Sequence, residues 1–342
     1  MHPKIRRFLT PYVQRGIVMA ILFVFVYVFT KLAFWTNEFM HQTGITPLTA
    51  WNLAFDTGVP LKSSNGRTNI LILGIGGGTH TGADLTDTMM VVSIDGKGNK
   101  IALTSLPRDL WSDTLKDKIN SAYHYGEEKK KGGGVILTKA VVEDVVGLPM
   151  QYTLLIDFSG FTKVIDRIGG IDIVVPKAFT DTEFPIEGKE NDLCGGDTTY
   201  ACRYEVITFE QGLQHMDGVR ALKYVRSRHS EGDEGSDFAR ARRQQDVMVA
   251  IKQKLLSWST YEHFRTLSEI ITAFDNATET DMRIGELATI AKIASRISQE
   301  SITRISLEDD LMSPPLWMYG KYVLVPKESF EKIHEHIKEK LQ

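Results

Sequence analysis

The chain has 342 residues, a formal net charge of -3 and 42% hydrophobic residues, a composition that supports one sizeable buried core. The near-neutral charge argues against a protein that attracts nucleic acid through its overall field. We find no internal repeat and no long low-complexity tract.

An apolar run near the N-terminus predicts a membrane anchor. Residues 16–35 reach the roughly 20 residues that a bilayer-spanning helix needs, and Lys31 lies close enough to the far end to extend to the interface. Four basic residues precede the run, so the positive-inside rule places residues 1–15 in the cytoplasm. A cleaved signal peptide is the alternative, but the bulky segment 31–35 offers no small-x-small cleavage site. We therefore expect a single-pass membrane protein whose body is extracytoplasmic.

The two cysteines fit that compartment. Cys194 and Cys202 flank a short loop, and in an oxidising environment such a pair can form a disulfide. Two free thiols are the alternative, while a metal site lacks a second Cys or His pair nearby. We predict the disulfide.

The body of the chain alternates strand-like and helix-like segments. Residues 36–66 are a juxtamembrane connector with a short apolar patch at 48–55 and a polar, turn-prone end at 62–66. Residues 67–342 form the globular part. Its helical end could be a separate small domain, but no flexible linker precedes it, so we count it in the same unit. The hairpin signal at 95–99 joins two apolar runs. This alternation predicts an α/β layer architecture. Strands are expected at 69–74, 89–94, 101–106, 152–157, 171–175 and 302–307, and helices at 135–146, 158–168, 262–274, 284–297 and from Lys327.

The most informative stretch is rich in arginine. Arg226 and Arg228 precede a polar loop, and Asp237, Arg240, Arg243 and Gln244 follow at spacings that share one helix face. Several arginines meeting at one site need an anion to offset their repulsion, and phosphate or pyrophosphate suits the planar fork of arginine best. The alternative is a solvated basic helix whose N-cap is Asp237.

Polar residues at the ends of the first and third strands add candidate ligands. The glycine-dense loop 74–82 suggests backbone passing close to a phosphate, although it is neither a dinucleotide fingerprint nor a P-loop. Asp84 and Asp87 carry the hard oxygens that suit Mg²⁺, and turn capping would explain them equally well. Arg108 and Asp109 lie at a strand end, where α/β ligand sites gather. A surface ion pair is the alternative for these two.

Taken in order, these motifs resemble the LytR–CpsA–Psr family of bacterial cell-wall glycopolymer transferases. The resemblance covers roughly residues 67–256 and includes the N-terminal anchor. Several ordered motifs over such a span are more specific than any one of them. The matching pieces are Asp87-Thr88, Ser105 to Asp109, Lys118-Ile119-Asn120, Phe161 with Asp166 to Ile171, Leu213 to Gly218, Arg226-Ser227-Arg228 and Asp237 to Gln245.

The resemblance implies a central mixed β-sheet flanked by helices and a phosphotransferase activity. The donor would be a polyprenyl-pyrophosphate-linked glycan, the acceptor a peptidoglycan hydroxyl, and the cofactor Mg²⁺ or Mn²⁺. Asp87 would hold the metal. The pyrophosphate would be bound by Arg108, Arg228, Arg240 and Gln244, with Arg226 and Arg243 beside them.

The chain departs from the family pattern at two positions, and the chemistry leaves several points open. Gly76 and Leu85 stand where many relatives carry Asp and Arg, so we expect Asp84 to serve as the second metal ligand. Asp109, Asp237 or a phosphate oxygen would accept the proton of the attacking hydroxyl. A pyrophosphatase acting on the same lipid is the alternative enzyme. A non-catalytic module that binds anionic lipid or wall polymer is the alternative outside enzymology, and a nucleic-acid-binding regulator is disfavoured.

Overall fold

The computed structural model describes residues 25–31, 33–34, 36–37, 40, 58–78, 82–189, 191–257, 272 and 274–342. The chain divides into two compact units, Met1–Asp56 and Thr57–Gln342. In the first unit, residues 25–31 are helical, and the side chains from Phe25 to Phe29 are more than half exposed. The remainder of the predicted anchor, residues 16–24, and the N-terminal segment 1–15 lie outside the described residues. In the described part of the chain, no helix has both the length and the apolar character that crossing a bilayer requires.

The second unit is built on a six-stranded mixed sheet with the order β11-β6-β1-β2-β3-β12. The β2–β3 pair is antiparallel, as the hairpin signal predicted, and so is the β1–β2 pair, while β1–β6 and β3–β12 are parallel. The main strands are β1 Arg67–Ile75, β2 Thr86–Asp95, β3 Ile101–Ser105, β6 Tyr152–Asp157, β11 Thr278–Thr280 and β12 Ile302–Ile305.

Four two-stranded sheets surround the central one. β10 pairs with β7, β9 with β8, β5 with β4 and β14 with β13. These strands are β4 Trp111–Ser112, β5 Asp117–Lys118, β7 Ile171–Val175, β8 Phe179–Pro185, β9 Tyr204–Phe209, β10 Gly212–Met216, β13 Leu311–Met312 and β14 Val325–Pro326.

Helices pack on both faces of the central sheet, because the inner strands β1 and β2 are apolar on both sides. Leu71 and Leu73 face a core that includes α1, α2 and α8, while Ile70 and Met90 face a core that includes α5 and α6. The helices are α1 Ala122–Lys129, α2 Gly133–Val146, α3 Phe158–Arg167, α4 Gly218–Arg226, α5 Asp237–Leu256, α6 Ile284–Arg296, α7 Leu316–Tyr319 and α8 Phe330–Leu341.

A third core lies beside the sheet, where α3, α4 and α5 cover the β7–β10 and β8–β9 pairs. The predicted α/β architecture with a central mixed sheet is therefore confirmed. The predicted helix at 135–146 begins two residues earlier and ends before Gly147, whose φ of 67° is the left-handed C-terminal geometry that glycine adopts without strain. The predicted closing helix begins at Phe330 rather than Lys327, and most of the predicted helix 262–274 lies outside the described residues.

Candidate functional site

One edge of the central sheet gathers the predicted site residues. β1 and β6 both end there, since Ile75 lies opposite Asp157, and β2 begins there, since Ile75 also lies opposite Thr86. β3 runs antiparallel to β2 and so ends at the same edge. The side chain of Asp87, the second residue of β2, and the segment that follows β3 are thereby brought together.

A cleft of about 550 Å³, counting its open mouth, lies at this edge. Six of the residues predicted to act in catalysis or binding line it, together with an apolar part. The lining residues are Asp87, Thr88, Arg108, Phe158, Asp181, Pro185, Val225, Arg226, Arg228, His229, Arg240 and Gln244.

Arg108 is the centre of an ion-pair network at the end of β3. Its Nη1 donates to Oδ1 of Asp87 at 2.5 Å, and its Nε lies 3.4 Å from Oδ2 of Asp109. The other oxygen of Asp109, which is only 5% exposed, accepts a hydrogen bond from Lys118. Burial by itself lowers the pKa of Arg108, but Asp87 and Asp109 outweigh it, so the pKa is raised. Arg108 therefore stays charged at the mouth of the cleft.

Helix α5 presents its N-terminal half to the same cleft. Ser236 is the N-cap, rather than Asp237 as in the alternative of a solvated basic helix, and its Oγ accepts a hydrogen bond from the backbone N–H of Ala239 at 3.1 Å. Gln244 donates to the hydroxyl of Thr88 at 2.9 Å, and Gln245 donates to Ser105 at 3.0 Å. These two amides tie the helix to β2 and β3, which explains why a polar pair stands on a buried face.

Arg240 is the most deeply buried cation of the cleft. The residue is 6% exposed, and its Nη2 lies 3.1 Å from Oδ1 of Asp237. This contact is an ion pair without hydrogen-bond geometry, and Oδ1 of Asp237 accepts no hydrogen bond. Burial lowers the pKa of Arg240, Asp237 offsets this in part, and the neighbouring Arg108 lowers the pKa further. An incoming anion would relieve both the desolvation and the repulsion.

Arg226 and Arg228 come from the end of α4 and the turn after it. The guanidinium of Arg226 stacks on Phe158, 4.3 Å from its ring centroid, and lies 5.5 Å from that of Phe184. Arg228 is exposed. With Arg108 and Arg240, these side chains bring four guanidiniums to one cleft.

Asp181 was missed by the sequence analysis. It is fully buried on β8, and its Oδ2 accepts hydrogen bonds from the Ser227 hydroxyl at 2.7 Å and the backbone N–H of Arg228 at 2.9 Å. The same oxygen accepts from the backbone N–H of His229 at 3.2 Å. The carboxylate therefore fixes the turn that carries Arg228. Its sequence surroundings give no signal, since β8 and β9 pair outside the central sheet.

Arg243 lies elsewhere, although it was predicted to bind pyrophosphate with Arg240. Its Nε donates to the carbonyl of Tyr224 at 3.0 Å, its Nη2 to the carbonyl of Ser227, and its Nη1 to Glu234. The guanidinium also stacks on Phe179 at 4.6 Å. Arg243 is 3% exposed and does not line the cleft, so this structure gives it a role in the core rather than at the anion.

Three predicted carboxylates, Asp84, Asp109 and Asp237, also lie off the cleft lining. Asp84 forms a hydrogen bond with Nδ1 of His124 at 2.7 Å, so the structure pairs it with an imidazole rather than with Asp87. Asp237 forms an ion pair with Arg240, with its Oδ1 3.1 Å from Nη2. Among the described residues, no group of three His, Cys, Asp or Glu ligand atoms within 4.8 Å of one another includes Asp87; the one such group contains Asp192 and both cysteines.

Those cysteines are joined to each other. Cys194 and Cys202 form a disulfide that closes the loop between β8 and β9. Their sulfurs are thereby unavailable as metal ligands.

The glycine-dense loop after β1 turns tightly. Gly77 and Gly78 have φ of 71° and 78°, and the N–H of Gly77 donates to the carbonyl of Ala83 at 2.8 Å. Gly74 is required by proximity, since a Cβ there would lie 2.9 Å from Cβ of Thr88, the residue held by Gln244. Residues 79–81 lie outside the described part of the chain.

The sequence and the fold match a known family. The model of the LytR_cpsA_psr family matches residues 37–339, and the chain belongs to this family.

Individual relatives agree. The chain is 30% identical over 263 residues to the polyisoprenyl-teichoic acid–peptidoglycan teichoic acid transferase TagV of Bacillus subtilis, a match that covers 75% of this chain and 60% of that protein. It is 27% identical over 220 residues to the corresponding TagU enzyme of Bacillus mycoides, covering 63% of this chain and 61% of that protein. These matches span about three fifths of each relative's length. The crystal structure of B. subtilis TagV superposes with a TM-score of 0.59 at 26% identity, covering 82% of this chain and 98% of that one.

Proposed function

We propose that this protein transfers a glycopolymer phosphate from a polyprenyl-pyrophosphate carrier to a hydroxyl of peptidoglycan. The observation that carries the proposal is the convergence of Arg108, Arg226, Arg228 and Arg240 on one cleft beside Asp87. The kind of donor and acceptor is inferred from the family and from the printed names of its TagU and TagV relatives.

The reaction breaks one bond of the diphosphate and forms another. The acceptor oxygen attacks the glycan-linked phosphorus, the bond from that phosphorus to the bridging oxygen breaks, and polyprenyl phosphate leaves. Negative charge spreads over the transferred phosphoryl oxygens and the leaving phosphate, so positioned cations supply most of the catalysis. Arg240 suits this role because its charge is poorly solvated before the diphosphate arrives.

Asp87 fits the part of a metal ligand. Mg²⁺ is commonly bound by one or two carboxylates together with substrate phosphates and water. Of the two carboxylates that line the cleft, Asp181 is engaged by the turn at 227–229, which leaves Asp87. When bound, the ion would neutralise charge on the phosphoryl oxygens, and Arg108 would exchange Asp87 for a phosphate. Asp84 is hydrogen-bonded to His124 and does not line the cleft, so it is not proposed as a second ligand.

The prenyl chain of the donor needs an apolar site. The apolar part of the cleft, formed by Phe158, Pro185 and Val225, is the proposed entry for the first prenyl units.

Asp109 and Asp237 remain the candidates for the proton acceptor. Both oxygens of Asp109 are already in ion pairs, one with Arg108 and one with Lys118, whereas Asp237 pairs with Arg240 alone. This contrast favours Asp237.

The test uses the full chain in detergent with a polyprenyl-pyrophosphate glycan, Mg²⁺ and a peptidoglycan oligomer. Release of polyprenyl phosphate and covalent transfer are followed separately. Arg240→Ala should slow both by about 100-fold or more, the usual effect of removing a group that stabilises transition-state charge. The matched control is Arg242→Ala on the same helix, because Arg242 is half exposed and pairs with Glu308 at 3.7 Å.

The outcomes separate the alternatives. Transfer supports the proposal, and release without transfer identifies a pyrophosphatase. Tight donor binding without turnover identifies a binding module. Equal rates for Arg240→Ala and wild type would exclude this cleft as the site.

A further inference from the structure

A group of aromatic side chains lies next to the cleft and has no part in the reaction described above. It consists of Trp111, Trp317, Tyr319 and Tyr322, and we call it the aromatic platform. Trp317 is 80% exposed and Tyr322 is 45% exposed, and the adjoining Leu316 is 61% exposed. Large apolar side chains gathered at the surface in this way mark a contact site.

The platform is fixed to the segment that carries the site residues. The N–H of Leu324 donates to the carbonyl of Asp109 at 2.9 Å, and the N–H of Trp111 donates to the carbonyl of Leu324 at 2.8 Å. Leu110 and Leu324 are buried beneath. The rings of Trp111 and Tyr319 pack edge to face with centroids 4.8 Å apart. Trp111 and Tyr319 are therefore packed together on the segment that carries Arg108 and Asp109.

Charged contacts connect the platform to the cleft. Lys118 pairs with Asp109 and also lies 5.9 Å from the ring centroid of Tyr322. Asp109 in turn contacts Arg108, which lines the cleft. Burial chiefly, and then Asp237 and Asp109, raise the pKa of Tyr322, so the phenol lies within the field of both candidate proton acceptors. A ligand on the platform would approach the phosphoryl group from the side of these carboxylates.

We propose that the aromatic platform binds the glycan strand of the acceptor, an inference that rests on the proposed transferase function. The C–H faces of a sugar ring carry partial positive charge and pack on the negative face of an aromatic ring. Sugar hydroxyls also need polar partners at the rim, and Asp113 and Lys116 are both more than 70% exposed there.

A membrane surface is the other occupant to consider, and the charges disfavour it. Charged side chains lie among the rings, namely those of Asp113, Lys116, Asp117 and Lys321. The ion pair of Lys321 with Asp117 would lose its hydration in a bilayer. A hydroxyl-rich polymer solvates the same groups. The platform therefore suits carbohydrate better than lipid.

The experiment measures co-sedimentation of the full chain, in detergent, with insoluble peptidoglycan, alongside donor and acceptor kinetics. Trp317→Ala and Tyr322→Ala should each weaken sedimentation and raise the KM for the acceptor about tenfold, with the KM for the donor unchanged. Tyr200→Ala is the matched control, since Tyr200 is 41% exposed on the disulfide loop, and it should change neither quantity.

The readouts keep this inference separate from the proposed function. Peptidoglycan binding that depends on Trp317, without any transfer, supports the platform and contradicts the transferase. Transfer with an unchanged acceptor KM in both variants overturns the platform and leaves the transferase standing. Quenching of Trp317 fluorescence by spin-labelled lipid, measured as the difference between wild type and Trp317→Phe in nanodiscs, would identify a membrane contact and also overturn it.

Discussion

At the scale of single residues, Asp181 shows how a group outside the reaction can control it. One of its oxygens accepts three hydrogen bonds from the turn at 227–229, and the other accepts from the backbone N–H of Glu183 at 3.1 Å. An amide in place of the carboxylate would bring an N–H₂ group against one of these donors. A buried donor left unsatisfied costs about 1–3 kcal/mol. Arg228 would then lose its fixed position.

Asp181→Asn should therefore raise the KM for the donor by about tenfold or more, with a smaller change in kcat, because the turn loosens before the diphosphate binds. Donor kinetics and the thermal midpoint check this. Asp217→Asn is the control, since Asp217 caps α4 through the N–H of Arg220 at 2.8 Å and asparagine caps equally well. An unchanged KM in Asp181→Asn would contradict the positioning role.

Arg240 and Arg243, three residues apart, should respond oppositely to substitution. Arg243→Lys cannot reproduce the fork that reaches Tyr224, Ser227 and Glu234, so we expect it to lower the free energy of unfolding by about 2–4 kcal/mol. Arg240→Lys should abolish most turnover while leaving the unfolding free energy nearly unchanged. Denaturant unfolding and donor turnover, measured on both variants, give the comparison. If the Arg243→Lys protein were stable but had lost donor binding, Arg243 would be a pyrophosphate ligand, as the sequence predicted, and not a core residue.

His124 gives the molecule a weak pH dependence near neutrality. Its hydrogen bond to Asp84 raises its pKa above 6.5, and burial opposes this slightly. Because the folded pKa is the higher one, the stabilisation is complete below the unfolded pKa and is lost as the pH rises through the folded value. The pair is about 40% exposed, so its effect on stability is small. NMR titration should show the raised pKa and its return towards 6.5 in Asp84→Asn.

At the scale of secondary-structure elements, the β8–β9 pair carries both a site residue and the disulfide. Asp181 lies on β8, and the crosslink closes the loop beyond Pro185, which lines the cleft. By the loop-entropy relation, a crosslink over eight or nine residues contributes about 2–3 kcal/mol. The paired substitution Cys194→Ser with Cys202→Ser should thus lower the thermal midpoint by several degrees. Thiol labelling of denatured, unreduced wild type should find no reactive cysteine, and modification of both would refute the pairing.

The elements that the sequence predicted well share a strong local signal. β6 and β7 begin and end at the predicted residues, because apolar runs of strand length stop at a helix N-cap in one case and at Pro176 in the other. Helix α1 was not predicted, since Gly126 interrupts it. Glycine is needed at this position because α1 packs closely against α2: a Cβ there would lie 2.4 Å from the carbonyl oxygen of Gly133 at the start of α2.

The site residues also divide into those that local sequence predicted and those that depend on tertiary contacts. Spacing along α5 predicted that Arg240, Arg243 and Gln244 share one face, and all three are buried. Periodicity alone does not distinguish Arg240, which lines the cleft, from Arg243, whose partners come from α4 and the loop before α5. Asp181 and the aromatic platform depend wholly on tertiary contacts. Local sequence thus located the arginines but not the residues that position them.

At the scale of the whole molecule, the charge pattern around residues 16–35 bears on where the cleft works. Lys4, Arg6, Arg7 and Arg15 precede the apolar run and Lys31 alone lies at its exit. By the positive-inside rule we expect the N-terminus to stay in the cytoplasm and residues 36–342 to be exported, to the side where the proposed donor and acceptor would meet. The family match begins at residue 37, directly after this run.

This topology predicts how intact cells respond to an added protease. Residues 36–342 should be digested from outside in wall-stripped cells, while an epitope tag before Met1 should remain protected until the membrane is opened. Replacing Lys4, Arg6, Arg7 and Arg15 by Asn should lower the exported fraction, because the charge difference across the run then reverses in favour of Lys31. The matched control replaces Lys97, Lys100, Lys129 and Lys130, which lie far from the run, and should leave export unchanged. Protection of the body in wild-type cells would place the cleft on the cytoplasmic side and remove peptidoglycan as its acceptor.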